Sequence, residues 1–265
     1  MKKLFFVLAA AAMIFVSCSK KKDNNPTPAP TPVKQTVLAG MDVRGMMLYG
    51  DVTYSYTYDT DYRLVNIKEV KLNDSTFVIR NLNFTYSDGH ISIIGMAEGY
   101  EITYECVLDN HGRITELEYS GISLQTGFVS HYTTSYTYDA DGYLITRSKV
   151  SDDGGTNATY IWENNELVKI DTDGILVSEY ETSDAPAQAI FNRVGYDSEI
   201  SELCSQGCFG KLPNHMPSKR DLIVYYGGVP ITTNTTVYTY TVENGRLATC
   251  QEDENTSFTF HWEER

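Results

Sequence analysis

Basic side chains are scarce in this sequence, with 21 Lys and Arg against 35 Asp and Glu and a formal net charge of −14. An acidic chain repels phosphate backbones, so no nucleic acid is expected as a partner. Long apolar runs are also scarce, because nothing after residue 17 approaches the length that spans a bilayer. The hydrophobic residues, 42% of the chain, are nevertheless enough for one sizeable domain with its own core.

Motifs for catalysis, cofactors and metals are missing as well. The chain has no nucleophile elbow, no glycine-rich phosphate loop and no zinc-protease helix. Its five histidines are nowhere at metal-ligand spacing. Asp139-x-Asp141-Gly142 begins like a calcium loop but lacks the later oxygen ligands and glutamate, so we interpret it as a turn. Neither a cofactor nor a metal is expected.

The N-terminal residues have the pattern of an export signal. Two lysines at positions 2–3 precede an apolar run over residues 4–16, which is too short to cross a bilayer. Residues 15–18, Phe-Val-Ser-Cys, resemble a bacterial lipobox, and this resemblance implies cleavage before Cys18 and lipid attachment to it. An ordinary signal peptide with an incidental cysteine is the alternative. More than one acyl chain on Cys18 would anchor the protein stably to a membrane.

A proline-rich stretch follows the cysteine. Alternate prolines over residues 26–32 favour an extended polyproline conformation and cannot form a core. We therefore predict a signal peptide over residues 1–17, a lipidated cysteine and tether over 18–36, and a single all-β domain over 37–265. The expected location is the outer membrane of the cell envelope, with the domain facing either the periplasm or the cell exterior.

One hairpin pattern recurs throughout the domain and is clearest over residues 135–145. Tyr136 and Tyr138 alternate with hydroxyl residues, as in a half-buried strand, and Asp139 and Gly142 supply a turn before Leu144. Similar turns are expected near residues 59–62, 73–75, 88–89, 109–112, 139–142, 152–155, 164–165 and 171–174. The recurrence indicates a degenerate internal repeat of one hairpin unit.

Consecutive strands joined by tight turns pair as neighbours, and a long meander has to curl or be covered because exposed edges aggregate. The sequence therefore predicts an all-β antiparallel meander that forms a closed or nearly closed barrel. A long twisted open sheet is the alternative. A short, partly helical insertion near 185–218, within the irregular segment 181–218, interrupts the meander, and we interpret it as a plug over one barrel end or as a functional insertion.

Four cysteines remain besides Cys18. Cys204 and Cys208 are close in sequence and flank a glycine-containing turn, so in an oxidising envelope they are the best candidate for a disulfide. Cys106 and Cys250 either meet across the fold or are buried free thiols.

The lipobox, the tether, the Tyr-x-Tyr-Asp hairpins and the segment 209–218 together resemble a family of Bacteroides-type lipoproteins of unknown function. The domain of that family is described as having a porin-like fold. The hairpins alone also resemble the tyrosine–aspartate repeats of large bacterial surface and toxin-shell proteins. The first resemblance implies a β-barrel-like fold and brings no known catalytic residues.

Rows of tyrosines are the best candidate binding feature: Tyr54, Tyr56 and Tyr58, Tyr136 and Tyr138, and Tyr238 and Tyr240. Exposed rows would stack on sugar rings, and buried rows would be core. The sequence favours a non-enzymatic, lipid-anchored protein that binds or scaffolds a glycan or an envelope protein. The alternatives are a carboxylate-dependent hydrolase of polysaccharide or peptidoglycan and a structural or adhesive surface protein.

Overall fold

A computed structural model describes residues 35–46, 50–188 and 200–265 of the chain. These residues form sixteen antiparallel strands and a 3₁₀ helix at Ser201–Gln206. The strands are β1 (Thr36–Met46), β2 (Gly50–Tyr58), β3 (Leu64–Lys71), β4 (Asp74–Ser87), β5 (His90–Ala97), β6 (Tyr100–Leu108), β7 (Ile114–Ser123), β8 (Val129–Tyr138), β9 (Leu144–Ser151), β10 (Gly154–Glu163), β11 (Glu166–Thr172), β12 (Leu176–Pro186), β13 (His215–Tyr226), β14 (Val229–Glu243), β15 (Arg246–Glu252) and β16 (Thr256–Glu264). No helix among them is long and apolar enough to cross a membrane.

The sheet closes into a barrel in which every strand pairs with its neighbours in sequence. The first and last strands complete the ring, since Met41 pairs with Phe260 and Val43 with Phe258. Closure removes the exposed edges that a long meander would otherwise leave. The predicted all-β barrel is confirmed, and the alternative of an open sheet is wrong.

Turn chemistry explains why the chain reverses where it does. The Oδ1 atoms of Asp59, Asp109 and Asp139 each accept a hydrogen bond from the backbone N–H four residues later, at 2.8–2.9 Å. Gly142 has a φ of 95°, and Tyr62 takes the matching position of its own turn with a φ of 61°. Every turn predicted from the sequence falls at a junction of two consecutive strands, but the strands extend into the turns predicted at 73–75, 152–155 and 171–174.

The barrel has two unlike ends. The turns after even-numbered strands lie at one end, and the 3₁₀ helix lies there too, so we call it the plug end. The turns after odd-numbered strands lie at the other end, which we call the far end. Side chains alternate between the inner and outer faces along each strand. A single cluster of buried apolar residues fills much of the interior and reaches Val43 and Val52, near the far-end turn between β1 and β2.

The predicted insertion is narrower in the structure. β12 continues to Pro186 and β13 begins at His215, so both borders of the segment 181–218 are strand. Thr182 still pairs with Pro217 because the register shifts at bulges on either side, where a proline is tolerated. Residues 189–199 lie outside the described residues. The predicted signal peptide, Cys18 and the tether up to residue 34 lie outside them too.

Candidate ligand site at the far end of the barrel

The 3₁₀ helix and the residues that follow it enter the plug end of the barrel, and we call residues 200–214 the plug. Ile200, Leu203 and Phe209 are fully buried, and the ring of Phe209 meets that of Tyr136 edge-on at 5.3 Å. The backbone also joins the wall, because the N–H of Ile114 donates to the carbonyl of Cys208 at 2.7 Å. These contacts support the interpretation of this segment as a plug.

A buried ion-pair network ties the plug to the wall. Nη2 of Arg80 on β4 lies 2.6 Å from Oε1 of Glu202 in the plug, and its Nε lies 3.3 Å from Oε2 of Glu69 on β3. All three residues are less than 10% exposed. Desolvation raises the pKa of Glu69, and the Arg80 guanidinium opposes that rise. Because one guanidinium lies against both carboxylates, we interpret this pair as structural and not as the acid and base of a hydrolase.

The seven candidate stacking tyrosines belong to the core. The sequence had left two interpretations open for them, a sugar-stacking surface and a buried core. Tyr54, Tyr56, Tyr58, Tyr136 and Tyr238 are buried, and Tyr138 and Tyr240 pack partly buried against the same cluster. Several hydroxyl groups bond to backbone carbonyls, as Tyr138 does to Ile114 at 2.7 Å. Their rings therefore stabilise the barrel and present no open face to a sugar.

The four described cysteines are all buried. Burial raises the pKa of Cys208 to about 12 and also raises that of Cys204, so little thiolate forms at neutral pH. The Cys204–Cys208 disulfide stays a prediction. Cys106 and Cys250 match the interpretation as buried thiols. Among the residues that the structure describes, no group of His, Cys, Asp and Glu is placed to hold a metal ion.

A cavity of about 500 Å³ lies at the plug end beside β1 and the β2–β3 turn. Three aromatic residues in its lining already use their polar atoms. Tyr58 donates to the carbonyl of Leu38, Tyr62 to that of Arg265, and the indole of Trp262 to that of Leu247. A ligand there would compete with these bonds, which makes the cavity a poor candidate site.

The inner wall opens at the far end. Thr156 on β10 is exposed, whereas Ala158, two residues deeper on the same face, is buried. Asn234 on β14 is exposed in the same way above buried Thr236. We call this open inner surface the lumen mouth and define it by its residues, Tyr119, Tyr132, Lys149, Thr156, Arg220 and Asn234.

A ladder of tyrosines leads from the core to the lumen mouth. Tyr104 on β6 is fully buried, and its ring centroid lies 5.0 Å from that of Tyr119 on β7. Tyr119 stacks in turn on Tyr132 of β8, with centroids 4.5 Å apart and planes 20° apart. The three rings meet because their residues are paired in register on adjacent strands, Tyr104 with Tyr119 and Tyr119 with Tyr132. Such offset pairs hold aromatic rings in defined positions.

Lys149 and Gly121 complete this side of the lumen mouth. The Nζ of Lys149 lies 3.3 Å from the centroid of the Tyr132 ring, a cation–π contact. Gly121 lies two residues after Tyr119 on the same face of β7, and a Cβ there would collide with the Tyr119 hydroxyl. The glycine therefore lets the Tyr119 ring lie along its own strand towards the far end.

Arg220 occupies the inner wall of β13. It pairs with Tyr180 on β12 and with buried Thr236 on β14. Its Nε atom is buried and has no hydrogen-bond partner among the described residues. The lumen mouth thus combines tyrosine rings, side-chain hydroxyls and amides, and two inward-facing cations.

Sequence reasoning missed every residue of the lumen mouth. Lys149 lies in the stretch Thr-Arg-Ser-Lys-Val-Ser, which alternates polar types and looks like a solvated strand. The pairing of Lys149 with Thr134, which is fully buried, puts it on the inner face. The one signal available was the spacing of Tyr132 from Tyr136 and Tyr138, which extends the same face of β8 towards the far end.

No family model matches the chain, and neither does any curated protein. Among solved structures, it is similar to a porin-like protein from Bacteroides uniformis ATCC 8492, with a TM-score of 0.59 and 20% identity over 85% of this chain and 98% of that one. It is also similar to a porin-like protein from Bacteroides vulgatus ATCC 8482, with a TM-score of 0.61 and 14% identity over 86% and 98%. At these identities the likeness is one of fold: the chain is built like the porin-like barrels of these two Bacteroides species.

Proposed function

We propose that this protein is a non-enzymatic binding protein of the bacterial cell envelope, anchored through lipid on Cys18, that takes a saccharide at the lumen mouth. The observation that carries the proposal is the contrast between the two barrel ends. Apolar side chains and the plug fill the plug end, while at the far end the strands from β7 to β10 and the strands β13 and β14 carry inward-facing polar and aromatic groups. The likeness in fold to porin-like proteins of Bacteroides supports an envelope location.

Binding fits this interior better than passage does. A conduit needs a continuous polar lumen, and here Phe209, Leu203 and their neighbours are packed at the plug end. The outer wall carries charged side chains. One example is Glu118, whose Oε1 lies 3.1 Å from Nε2 of His131 and accepts a hydrogen bond when that nitrogen carries the proton. Large apolar side chains are exposed on this wall as well, among them Ile94, Ile122 and Val129. In this proposal the lipid anchor supplies the attachment to the membrane.

Saccharides fit the chemistry of the lumen mouth. Sugar rings present apolar faces and many hydroxyl groups. The mouth offers the edges of the Tyr119 and Tyr132 rings, which stack on each other beside Lys149, together with hydroxyls and amides such as Thr156 and Asn234. We therefore place the ligand at the far end and not on the tyrosine rows of the core.

A saccharide that binds only the folded protein raises its melting temperature. At 100 times its dissociation constant the ligand adds about 2.7 kcal/mol, or roughly 5–10 °C for a barrel of this size. We expect such a shift from at least one member of an oligosaccharide panel, measured on the full chain in detergent with and without calcium. The shift should disappear in Tyr132→Leu and persist in Tyr226→Leu, because Tyr226 is 80% exposed on a far-end turn. A panel without any shift would contradict saccharide binding.

Lipid attachment is tested separately. We expect Cys18→Ser to move the protein from the membrane fraction to the soluble fraction, because the thiol that accepts the acyl chains is gone. Cys106→Ser is the matched control and should stay with the membrane. A Cys18→Ser protein that sediments with membranes as before would show that another segment anchors the chain.

A further inference from the structure

We propose that the lumen mouth selects saccharides that carry carboxylates, and that Lys149 is the residue that binds the carboxylate. This inference rests on the proposed function, because it names the ligand class of the same site. Its starting point is a charge distribution that the composition does not predict.

The lumen mouth is cationic inside an acidic protein. The chain has 35 acidic and 21 basic side chains, so most inward-facing cations should find a carboxylate. Arg80 does, between Glu69 and Glu202. Lys149 and Arg220 do not, since neither forms an ion pair among the described residues. An inward-facing cation without a carboxylate partner has its charge available to an anionic ligand.

The geometry around Lys149 presents its ammonium to the lumen. The Tyr132 ring holds the Nζ atom 3.3 Å from its centroid, and Tyr119 supports that ring from the next strand. An ammonium has three N–H donors, and the ring face occupies one direction. The remaining donors are available to an anion. The residues opposite Lys149 in register, Thr134 and Thr156, carry no charge that would compete for it.

Arg220 gives the lumen mouth a second cation on a different part of the wall. Four strand spacings separate β9 from β13, about 19 Å along the sheet at 4.8 Å each. Two cations so far apart along the wall do not form a single phosphate cradle, which needs donors converging on one group. They match a chain of sugar units with more than one carboxylate, whose hydroxyls meet Thr156 on β10 between the cations and Asn234 on β14 beyond Arg220.

Calorimetric titration of the full chain in detergent tests the selection. The probes are a galacturonic acid tetrasaccharide, the same tetrasaccharide with its carboxylates reduced to alcohols, and inorganic phosphate. We expect the acidic sugar to bind at least tenfold more tightly than the reduced one, which corresponds to about 1.4 kcal/mol. The difference should shrink as salt rises, because exposed charge pairs are screened. This comparison uses the unmodified protein and does not depend on the folding of any variant.

Variants then assign the residue. Lys149→Gln should weaken binding of the acidic sugar at least tenfold and so bring its affinity close to that of the reduced sugar. Lys68→Gln removes the same charge from the exposed outer face of β3 and should change binding of neither sugar. Arg220→Gln should weaken binding of the acidic sugar more than that of the reduced sugar.

The outcomes separate the two proposals. Equal affinity for acidic and reduced sugars, or an unaffected Lys149→Gln protein, would overturn the selection for carboxylates and leave saccharide binding intact. Displacement of the acidic sugar by an equal concentration of phosphate would overturn the assignment to a saccharide. If no saccharide of any charge binds, the proposed function itself is wrong.

Discussion

Replacing Arg80 by methionine is expected to destabilise the barrel by about 3–5 kcal/mol, because it leaves two carboxylates buried without their shared cation. Glu69 and Glu202 both lie within 3.3 Å of the guanidinium and are almost fully buried. Methionine preserves most of the volume, so the loss is chiefly electrostatic. Urea denaturation of the full chain measures it, and Arg44→Met on the exposed face of β1 is the matched control, with an unchanged midpoint expected.

The pH dependence of this loss identifies its cause. Burial already raises the pKa of Glu69 in the presence of Arg80, and removing the cation raises it further. A carboxyl group whose pKa is raised in the folded state contributes most to the stability of the protein below its unfolded-state pKa, near 4.3. That contribution is lost as the pH rises through the folded-state pKa. The penalty in Arg80→Met should therefore be small at about pH 4 and full at pH 8.

A penalty of equal size at both pH values would contradict the electrostatic explanation and point to lost packing against Tyr54, whose ring centroid lies 5.4 Å from the guanidinium carbon. Adding Glu69→Gln and Glu202→Gln to the Arg80→Met protein supplies a second check. Amides carry no charge, so we expect the triple variant to recover part of the lost stability.

Local sequence patterns predicted the meander well because each hairpin carries its own turn chemistry. Asp109 and Gly112 are visible in the sequence, and in the structure they form the bonded turn that was expected. The Gly227-Gly228 turn was missed for the converse reason. The strand after it begins Val-Pro-Ile-Thr-Thr-Asn-Thr-Thr, without a clear alternation of apolar and polar residues, so nothing marked Val229 as the start of β14.

The lumen mouth could not be predicted from the sequence, because its residues come together only when the sheet closes into a barrel. The alternation of side chains along β9 predicts that Lys149 and Arg147 lie on the same face of the strand. It does not predict whether that face points into the barrel. Only the pairing of β9 with β8, whose Thr134 and Tyr136 are buried, makes that face the inner wall. The same limit applied to the tyrosine rows, which were predicted as either core or binding surface and which closure assigned to the core.

Truncation of Phe209 in the plug is expected to have the second large effect on the stability of the protein. Its side chain is 1% exposed and contacts Tyr136 of the barrel wall. Truncating a buried phenylalanine to alanine costs about 3–5 kcal/mol, and we expect Phe209→Ala to fall in that range in urea denaturation. Phe128→Ala is the control, because that ring is 63% exposed and its loss should change stability by no more than about 0.5 kcal/mol.

Hydrogen exchange distinguishes release of the plug from loosening of the whole barrel. Two amide protons report on the contact between plug and wall: Ile114 donates to Cys208, and Lys211 donates to Gly142 at 2.9 Å. In Phe209→Ala we expect these amides to lose more protection than the amide of Tyr104 on the middle of β6, which exchanges only when the barrel itself opens. If all three amides accelerate together, the plug and the wall unfold as one unit, and the barrel depends on its plug for stability.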